Sequence, residues 1–126
     1  MLFYGFDLYS EADGNSPEME ELMALHFCAN PDDDASDVIA VWEELIKKGF
    51  PELEIICHGY HENPTYALTV KGSKIETDWD DGAIPVAIAD LGAARTVGWD
   101  KEFERFCKTV GLPKIEADWL IAAYLG

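Results

Sequence analysis

The first 46 residues of this chain hold twelve carboxylates and no lysine or arginine. The remaining residues hold thirteen carboxylates and all nine lysines and arginines, beginning with Lys47, and the formal net charge is −16. An unpaired charge is too costly to bury, so any fold of this chain must keep these carboxylates at its surface. The charge therefore predicts an acidic surface that attracts basic proteins and repels nucleic acids and anionic membranes.

The apolar content shows that this acidic chain can form a core. Hydrophobic residues make up 48% of the chain and aromatic residues 12%, whereas disordered acidic chains are poor in both. A length of 126 residues suits one domain, and we expect residues 1–126 to form a single acidic domain. We also expect a cytoplasmic protein. No apolar run reaches the roughly 18–20 residues of a membrane span, and the first residues lack the basic region of a signal peptide.

Hydrophobic spacing predicts an α+β fold, with about four strands in a mixed or antiparallel sheet and four helices packed mainly on one face. Residues 84–97 fit either a short strand or a buried helical turn. The predicted elements are, in order, a strand over 2–9, a helix from Pro17 to about Ala29 with Ser16 as its N-cap, a helix capped by Asp33, Asp34 or Ser36 and ending at Gly49, a strand over 53–60, a hairpin over 66–79, a helix capped by Asp100 and ending at Gly111, and a last helix from Leu112-Pro113 onward.

The hairpin has the most specific pattern in the sequence. Apolar side chains alternate from Tyr66 to Val70 and again from Ile75 to Trp79, with Gly72-Ser73 as a two-residue turn between them. The implied register pairs Val70 with Ile75 and Tyr66 with Trp79. We therefore expect two adjacent antiparallel strands whose apolar side chains share one face of the sheet.

Three carboxylates occupy alternate positions of the predicted return strand, at Glu76, Asp78 and Asp80. Successive members would stand about 7 Å apart on one face, which matches every second phosphate of a DNA strand at about 3.4 Å per nucleotide. The residues that face them in the predicted register include no cation: Thr69, Ala67 and Thr65. This row, with Asp81 beside it, is either a charged contact surface or the solvated face of an ordinary hairpin.

A second acidic cluster comprises Asp32, Asp33, Asp34 and Asp37. A carboxylate at a helix N-terminus is stabilising, and capping accounts for one or two of the four. An EF-hand calcium loop is excluded, because a loop that began at Asp32 would need glycine at its sixth position, which holds Asp37. The remaining carboxylates belong either to a solvated surface or to an interaction face.

We find no catalytic or metal-binding motif. Cys57, His58 and His61, with His26 and Cys28, are the only grouping of metal-ligand types, but Cys57 and His58 adjoin on a strand and point to opposite faces. No nucleophile elbow, CxxC or HExxH pattern occurs in the sequence. Three widely spaced cysteines do not suggest a disulfide framework, and we expect free, mostly buried thiols. We therefore expect neither an enzyme nor a bound cofactor or metal.

The charge favours two kinds of protein-binding role. In the first, the protein mimics nucleic-acid charge and blocks the basic groove of a DNA- or RNA-binding protein or nuclease through electrostatic complementarity. Its size, charge and compactness resemble those of small acidic phage inhibitors of restriction and CRISPR nucleases, although no motif carries the resemblance. In the second, it is an immunity or antitoxin protein that neutralises one basic toxin enzyme.

Both roles require a basic protein partner and no direct contact with nucleic acid or membrane. A monomer and a homodimer are equally compatible with the sequence. An acidic or salt-adapted protein with an unrelated function is the remaining alternative, because charge alone does not prove binding. The residues predicted to contact the partner are Asp32, Asp33, Asp34, Asp37, Glu76, Asp78, Asp80 and Asp81.

Overall fold

A computed structural model confirms the α+β class and describes residues 1–11, 15–60, 62–75, 93–113, 115–122 and 124–125. The first two strands and the first two helices agree with the predicted elements to within one residue at each end. The elements are β1 (Leu2–Ser10), α1 (Pro17–Ala29), α2 (Ala35–Gly49), β2 (Leu53–Tyr60), β3 (Pro64–Val70), a 3-10 turn (Lys71–Ser73), α3 (Ala93–Val110), β4 (Asp118–Ile121) and β5 (Tyr124–Leu125).

β3 is the central strand of the sheet and pairs with β1 on one side and with β2 on the other. The strand order is β4-β1-β3-β2-β5. The four longer strands are antiparallel to their neighbours, and the two-residue β5 runs parallel to β2. The mixed sheet of about four strands agrees with the prediction.

All three helices bury side chains against one face of the sheet. β1 contributes Tyr4, Phe6 and Leu8, which alternate along the strand and are buried. Burial of one large apolar side chain contributes about 1.5–3 kcal/mol, so the shared core accounts for much of the stability. The helices contribute Met19 and Met23 from α1, Val38, Ile39, Trp42 and Ile46 from α2, and Phe103, Phe106 and Cys107 from α3.

The predicted hairpin after β3 is wrong. Lys71–Ser73 forms a single 3-10 turn instead of reversing the chain, and Ile75 then pairs with Leu2 at the beginning of β1. The two backbone hydrogen bonds of this bridge measure 2.9 and 2.8 Å. Val70, which was expected to pair with Ile75, pairs with Leu53 of β2. β1 and β2 occupy both edges of β3, so a return strand finds no free backbone groups there.

Buried hydroxyl groups hold the 3-10 turn against β1. Ser73 Oγ accepts the backbone N–H of Tyr4 at 3.1 Å and donates to the carbonyl oxygen of Val70 at 2.8 Å. Thr69 Oγ1 donates to the carbonyl oxygen of Tyr4 at 2.9 Å. Both hydroxyl groups are buried and hydrogen-bonded, which makes their burial compatible with stability. The Gly72-Ser73 pattern is typical of a hairpin turn, but these hydrogen bonds to β1 and Val70 hold the segment in a 3-10 turn instead.

The predicted start of α3 is also wrong. The helix begins at Ala93, so Asp100 lies within it and does not cap it. The Asp100 carboxylate instead accepts a hydrogen bond from the Tyr4 hydroxyl group at 2.6 Å. Gly111 ends the helix as predicted, with a φ of 86° that favours glycine.

The predicted last helix is wrong, because residues 118–121 form β4 on the outer edge of β1. Trp119 pairs with Tyr4 and Leu120 pairs with Phe3. Hydrophobic periodicity does not separate a helix from a strand in so short an apolar segment, and the free edge of β1 supplies hydrogen-bond partners. The described residues therefore contain three α-helices where four were predicted.

Gly5 allows β1 to approach the backbone of β3 closely. A Cβ atom added at Gly5 would overlap the backbone carbonyl oxygen of Leu68, which belongs to the central ladder. We expect Gly5→Ala to lower the free energy of unfolding by about 3 kcal/mol in urea denaturation. The matched control Gly98→Ala adds an atom to α3 where nothing lies close, and should raise that free energy by about 1 kcal/mol. A Gly5→Ala variant as stable as the wild type would contradict the close approach.

Candidate acidic interface

The loop between α1 and α2 places the Asp32–Asp34 run at the N-terminus of α2. Asp34 Oδ1 accepts the backbone N–H of Asp37 at 3.2 Å and the Ser36 hydroxyl group at 2.5 Å. Asp37 Oδ2 accepts the backbone N–H of Asp34 at 2.9 Å, which completes a capping box. The hydrogen bonds from Ser36 and from the Asp37 backbone hold the pKa of Asp34 below its usual value. Asp34 is therefore the cap among the three predicted candidates.

Asp33 has a different local partner. Its Oδ2 atom lies 3.1 Å from Nε2 of His26, so it joins the loop to the last part of α1. Asp32 is exposed and forms no hydrogen bond or salt bridge within the described part of the chain. Three of the four predicted contact residues of this cluster thus have structural partners, and Asp32 has none among the residues that the structure describes.

Within the described residues, four of the nine lysines and arginines form salt bridges with carboxylates. The salt bridges join Lys47 to Glu44 (3.5 Å), Lys74 to Glu54 (3.0 Å), Arg105 to Glu102 (2.7 Å) and Lys108 to Glu104 (3.3 Å). Only the first of these reaches a carboxylate of the first 46 residues. Within the described ranges, the carboxylates of those 46 residues that form neither a salt bridge nor part of the capping box are Glu11, Glu18, Glu20, Glu21, Asp32 and Glu43.

Two tyrosines and a cysteine lie side by side across β1, β3 and β2. The β1–β3 register shifts between Asp7 and Tyr9, so Tyr9 pairs directly with Tyr66. Tyr66 also pairs with Cys57 on its other side. Both tyrosines pack against the helix-facing core and remain partly exposed. Strict alternation along β1 would place Tyr9 on the opposite face with Phe3, so the bulge creates this row.

Carboxylates just after β1, on α1 and at or within α2 lie near the two tyrosines. Burial raises the pKa of Tyr66, and neighbouring negative charges, led by Glu11, raise it further. Burial likewise raises the pKa of Tyr9, with Glu20 and Glu11 adding to the effect. Glu11 directly follows β1, and its backbone N–H donates to the carbonyl oxygen of Pro64 at 3.1 Å, two residues before Tyr66. The acidic tyrosine patch is defined here as Tyr9, Cys57 and Tyr66 together with Glu11, Glu20, Asp34 and Glu43.

The acidic tyrosine patch combines aromatic surface with uncompensated negative charge. Aromatic ring faces attract cations, and tyrosine is enriched among residues that dominate binding energy at protein interfaces. A lysine or arginine of a partner can therefore contact a tyrosine and a carboxylate together. Partial desolvation of the Cys57 thiol at the sheet surface and the charge of Glu11 raise its pKa, which disfavours the nucleophilic thiolate. The patch is suited to binding a basic protein and not to thiol catalysis.

The opposite face of the sheet brings together Asp7 and His58, a pair that sequence analysis missed. Asp7 lies on β1 and His58 on β2, and their side chains meet across β3 with Oδ1 and Nε2 2.8 Å apart. Small β3 side chains at Thr65 and Ala67 lie beneath this contact. The pair becomes apparent only from the strand order. Among the described residues, no three or more metal-ligating side chains come together.

The cysteines differ in part from the prediction. All three are free, as predicted, but only Cys107 is buried, and Cys28 and Cys57 are exposed. Burial raises the pKa of the Cys107 thiol. The expectation of mostly buried thiols is therefore wrong.

The remaining predicted contact residues are Glu76, Asp78, Asp80 and Asp81, and all four lie outside the described residues. Their role at an interface stays a prediction. The register predicted for them is wrong, because the β3 residues expected to face them pair with β1 and β2 instead: Thr65, Ala67 and Thr69.

Comparison with known proteins identifies no relative of this chain. No protein-family model, no curated protein and no solved structure matches it. No helix in the described ranges has the length and apolar character needed to cross a membrane.

The capping box gives different expectations for two neighbouring aspartates. We expect Asp34→Ala to lower the melting temperature by several degrees at pH 7, because it removes the cap of α2. Asp32→Ala should leave it unchanged or slightly higher, because only a repelled charge is lost. The pKa of Asp34 is lowered in the fold, so its stabilisation is present above the unfolded value of about 3.9 and disappears as the pH falls through the folded value. Thermal denaturation followed by circular dichroism from pH 7 to strong acid measures both effects. Equal melting temperatures of the two variants at pH 7 would refute the assignment of the cap.

Unpaired carboxylates also predict a salt dependence of stability. We expect the melting temperature to rise by about 3–6 °C between low and physiological ionic strength, because salt screens the mutual repulsion. The double variant Glu18→Gln/Glu21→Gln should show a smaller rise, since both side chains are exposed and unpaired. Glu102→Gln, which removes the partner of Arg105, should not reduce the rise. A melting temperature independent of salt would show that internal cations neutralise the carboxylates.

Proposed function

We propose that this protein is an acidic inhibitor that binds a basic nucleic-acid-binding protein or nuclease and occupies its nucleic-acid groove. The acidic tyrosine patch and the neighbouring residue Asp32 form the centre of the proposed contact surface. The acidic residues between Glu76 and Asp81 are a second proposed part of it. The observation that carries the proposal is the pair of partly exposed tyrosines, Tyr9 and Tyr66, on adjacent strands. Near them lie Glu11, Glu20 and Glu43, which form no salt bridge within the described residues.

Charge alone would be weak support for this function. Two like charges about 7 Å apart in water repel each other by roughly 0.6 kcal/mol, which a stability of about 5–15 kcal/mol tolerates. An acidic protein without a binding role is therefore physically possible. The tyrosines distinguish this surface from a purely solvated one, because they supply the apolar contact area that interface centres need.

The proposed mechanism is competition for the same cations. A nucleic-acid groove presents lysines and arginines that neutralise phosphates, and the carboxylates of the inhibitor would neutralise these side chains instead. Long-range attraction would accelerate the encounter, whereas contacts with Tyr9 and Tyr66 would slow dissociation. Binding should therefore weaken as the salt concentration increases.

The test is capture of partners from nuclease-treated bacterial lysate on the immobilised protein, followed by elution with salt and mass spectrometry. The patch variant combines Glu11→Gln, Glu20→Gln and Glu43→Gln. Its matched control combines Glu44→Gln, Glu52→Gln and Glu102→Gln, which removes the same charge but at two residues already paired with cations. We expect one dominant basic partner, with at least tenfold less retained by the patch variant and less than a twofold change with the control.

The outcomes separate the alternatives. Equal losses with the patch variant and its control would mean that retention depends on total charge, and would refute the patch. A further variant with Glu76→Gln, Asp78→Asn, Asp80→Asn and Asp81→Asn tests the second proposed surface in the same assay. A dominant partner that is a toxin enzyme, with no nucleic-acid groove involved, would replace the decoy with an immunity role. A broad mixture of basic proteins would refute a specific inhibitor.

A further inference from the structure

A cavity of about 180 Å³ opens between α3 and residues 115–117. Part of its lining is apolar, from Phe103, Ile115 and Ala117. The described lining also includes three carboxylates and no cation; the acidic residues are Asp100, Glu104 and Glu116. Phe103 is fully buried beneath the opening, so the apolar floor is part of the folded core. The cavity thus combines an apolar floor with negative charge.

We propose that this cavity binds the side chain of an arginine. That the arginine belongs to the protein's basic partner rests on the proposed function. That the cavity suits an arginine side chain follows from its lining alone. The ligand must have an apolar stem for the floor and several N–H donors for the carboxylates. An arginine side chain meets both requirements.

The volume of the cavity matches this ligand. A protein cavity of about 150 Å³ accommodates benzene, which has six non-hydrogen atoms. An arginine side chain has seven non-hydrogen atoms, and a cavity of about 180 Å³ is correspondingly larger. Its three methylene groups would lie against Phe103 and Ile115, where they leave water.

The carboxylates retain acceptor capacity for a guanidinium group. Tyr4 donates to Oδ1 of Asp100 at 2.6 Å, which fixes this carboxylate and leaves Oδ2 available. Lys108 lies 3.3 Å from Oε1 of Glu104 and leaves Oε2 available. Glu116 is exposed and forms no salt bridge or hydrogen bond within the described residues. A guanidinium group offers five N–H donors in a plane, compared with three for an ammonium group, so these separate acceptors favour arginine over lysine.

The cavity is separate from the acidic tyrosine patch. Its carboxylate Asp100 is bonded to Tyr4, near the start of β1, whereas the patch includes Tyr9 at the other end of that strand. Five residues of extended strand span about 16 Å, so one ligand side chain cannot occupy both places. The cavity would thus provide a second attachment point for the partner.

The test uses n-propylguanidinium, which reproduces the arginine side chain, and n-propylurea, a neutral molecule of nearly the same shape. Each is titrated into the isotopically labelled wild-type protein, and backbone amide shifts are followed by NMR. We expect millimolar binding of n-propylguanidinium, with shifts centred on residues 100–104 and 115–117. We expect at least tenfold weaker binding of n-propylurea and weaker binding of n-butylammonium, because charge and donor number both contribute.

Three variants make the assignment specific. Glu116→Gln changes an exposed side chain and should weaken n-propylguanidinium binding about fivefold, whereas the exposed control Glu21→Gln on α1 should leave it unchanged. Ala117→Phe fills the cavity without changing its charge and should abolish binding. Equal affinity for the urea, equal effects of Glu116→Gln and Glu21→Gln, or shifts centred on Tyr9 and Tyr66 would each refute the cavity as an arginine site.

This titration contains no partner protein, so it can fail or succeed independently of the proposed inhibitor function. If n-propylguanidinium binds as expected and Glu116→Gln also reduces partner capture, the partner supplies the arginine. If the captured partner is retained equally by Glu116→Gln and by the wild type, the partner is refuted as the source of the arginine. Failure of partner capture with normal n-propylguanidinium binding would refute the inhibitor function and leave the cavity assignment standing.

Discussion

The pairing of β3 on both of its edges governs the arrangement of the rest of the chain. Once β1 and β2 have taken the backbone groups of β3, later segments find pairing partners only on the outer edges of the sheet or beyond the ends of β3. Ile75 therefore pairs with β1 beyond the end of β3, β4 adds to the outer edge of β1, and β5 adds to the outer edge of β2. The close approach of β1 to β3 at Gly5 makes this central pairing possible. The acidic tyrosine patch forms because the same pairing brings three strands together at Tyr66.

The fold manages its excess negative charge by local means. Asp34 and Asp37 satisfy backbone and hydroxyl donors at the start of α2, and Asp33 and Asp7 contact histidines. These contacts stabilise the fold without a lysine or arginine, which the first 46 residues do not contain. Among the described carboxylates that remain without a salt bridge are Glu11, Glu20 and Glu43 of the acidic tyrosine patch. The hydrogen bonds of the individual carboxylate oxygens therefore distinguish the carboxylates that stabilise the fold from those that remain available at the surface.

Sequence patterns predicted the elements whose signals are local and missed those that depend on distant pairing. The Ser16 cap and the alternation at the start of β1 were predicted correctly, and Asp34 is one of the three candidates predicted to cap α2. The Gly72-Ser73 signal failed because Ser73 is held by Tyr4, a residue remote in sequence. The last helix failed because Trp119 finds a pairing partner on the free edge of β1. The acidic tyrosine patch could not be predicted either, since it requires both the strand order and the bulge before Tyr9.

Specificity in an acidic protein must come from geometry, because every basic surface is attracted to a net charge of −16. Among the described residues, the acidic tyrosine patch and the cavity beside α3 both combine negative charge with apolar surface. β1 connects them, since Tyr4, which donates to Asp100 at the cavity, and Tyr9 of the patch lie five residues apart, or about 16 Å along the strand. If both places bind cations as proposed, a partner that presents cations at a matching spacing would gain both contacts, whereas another basic surface would gain only one. The sheet would then select among basic proteins that the charge alone would attract equally.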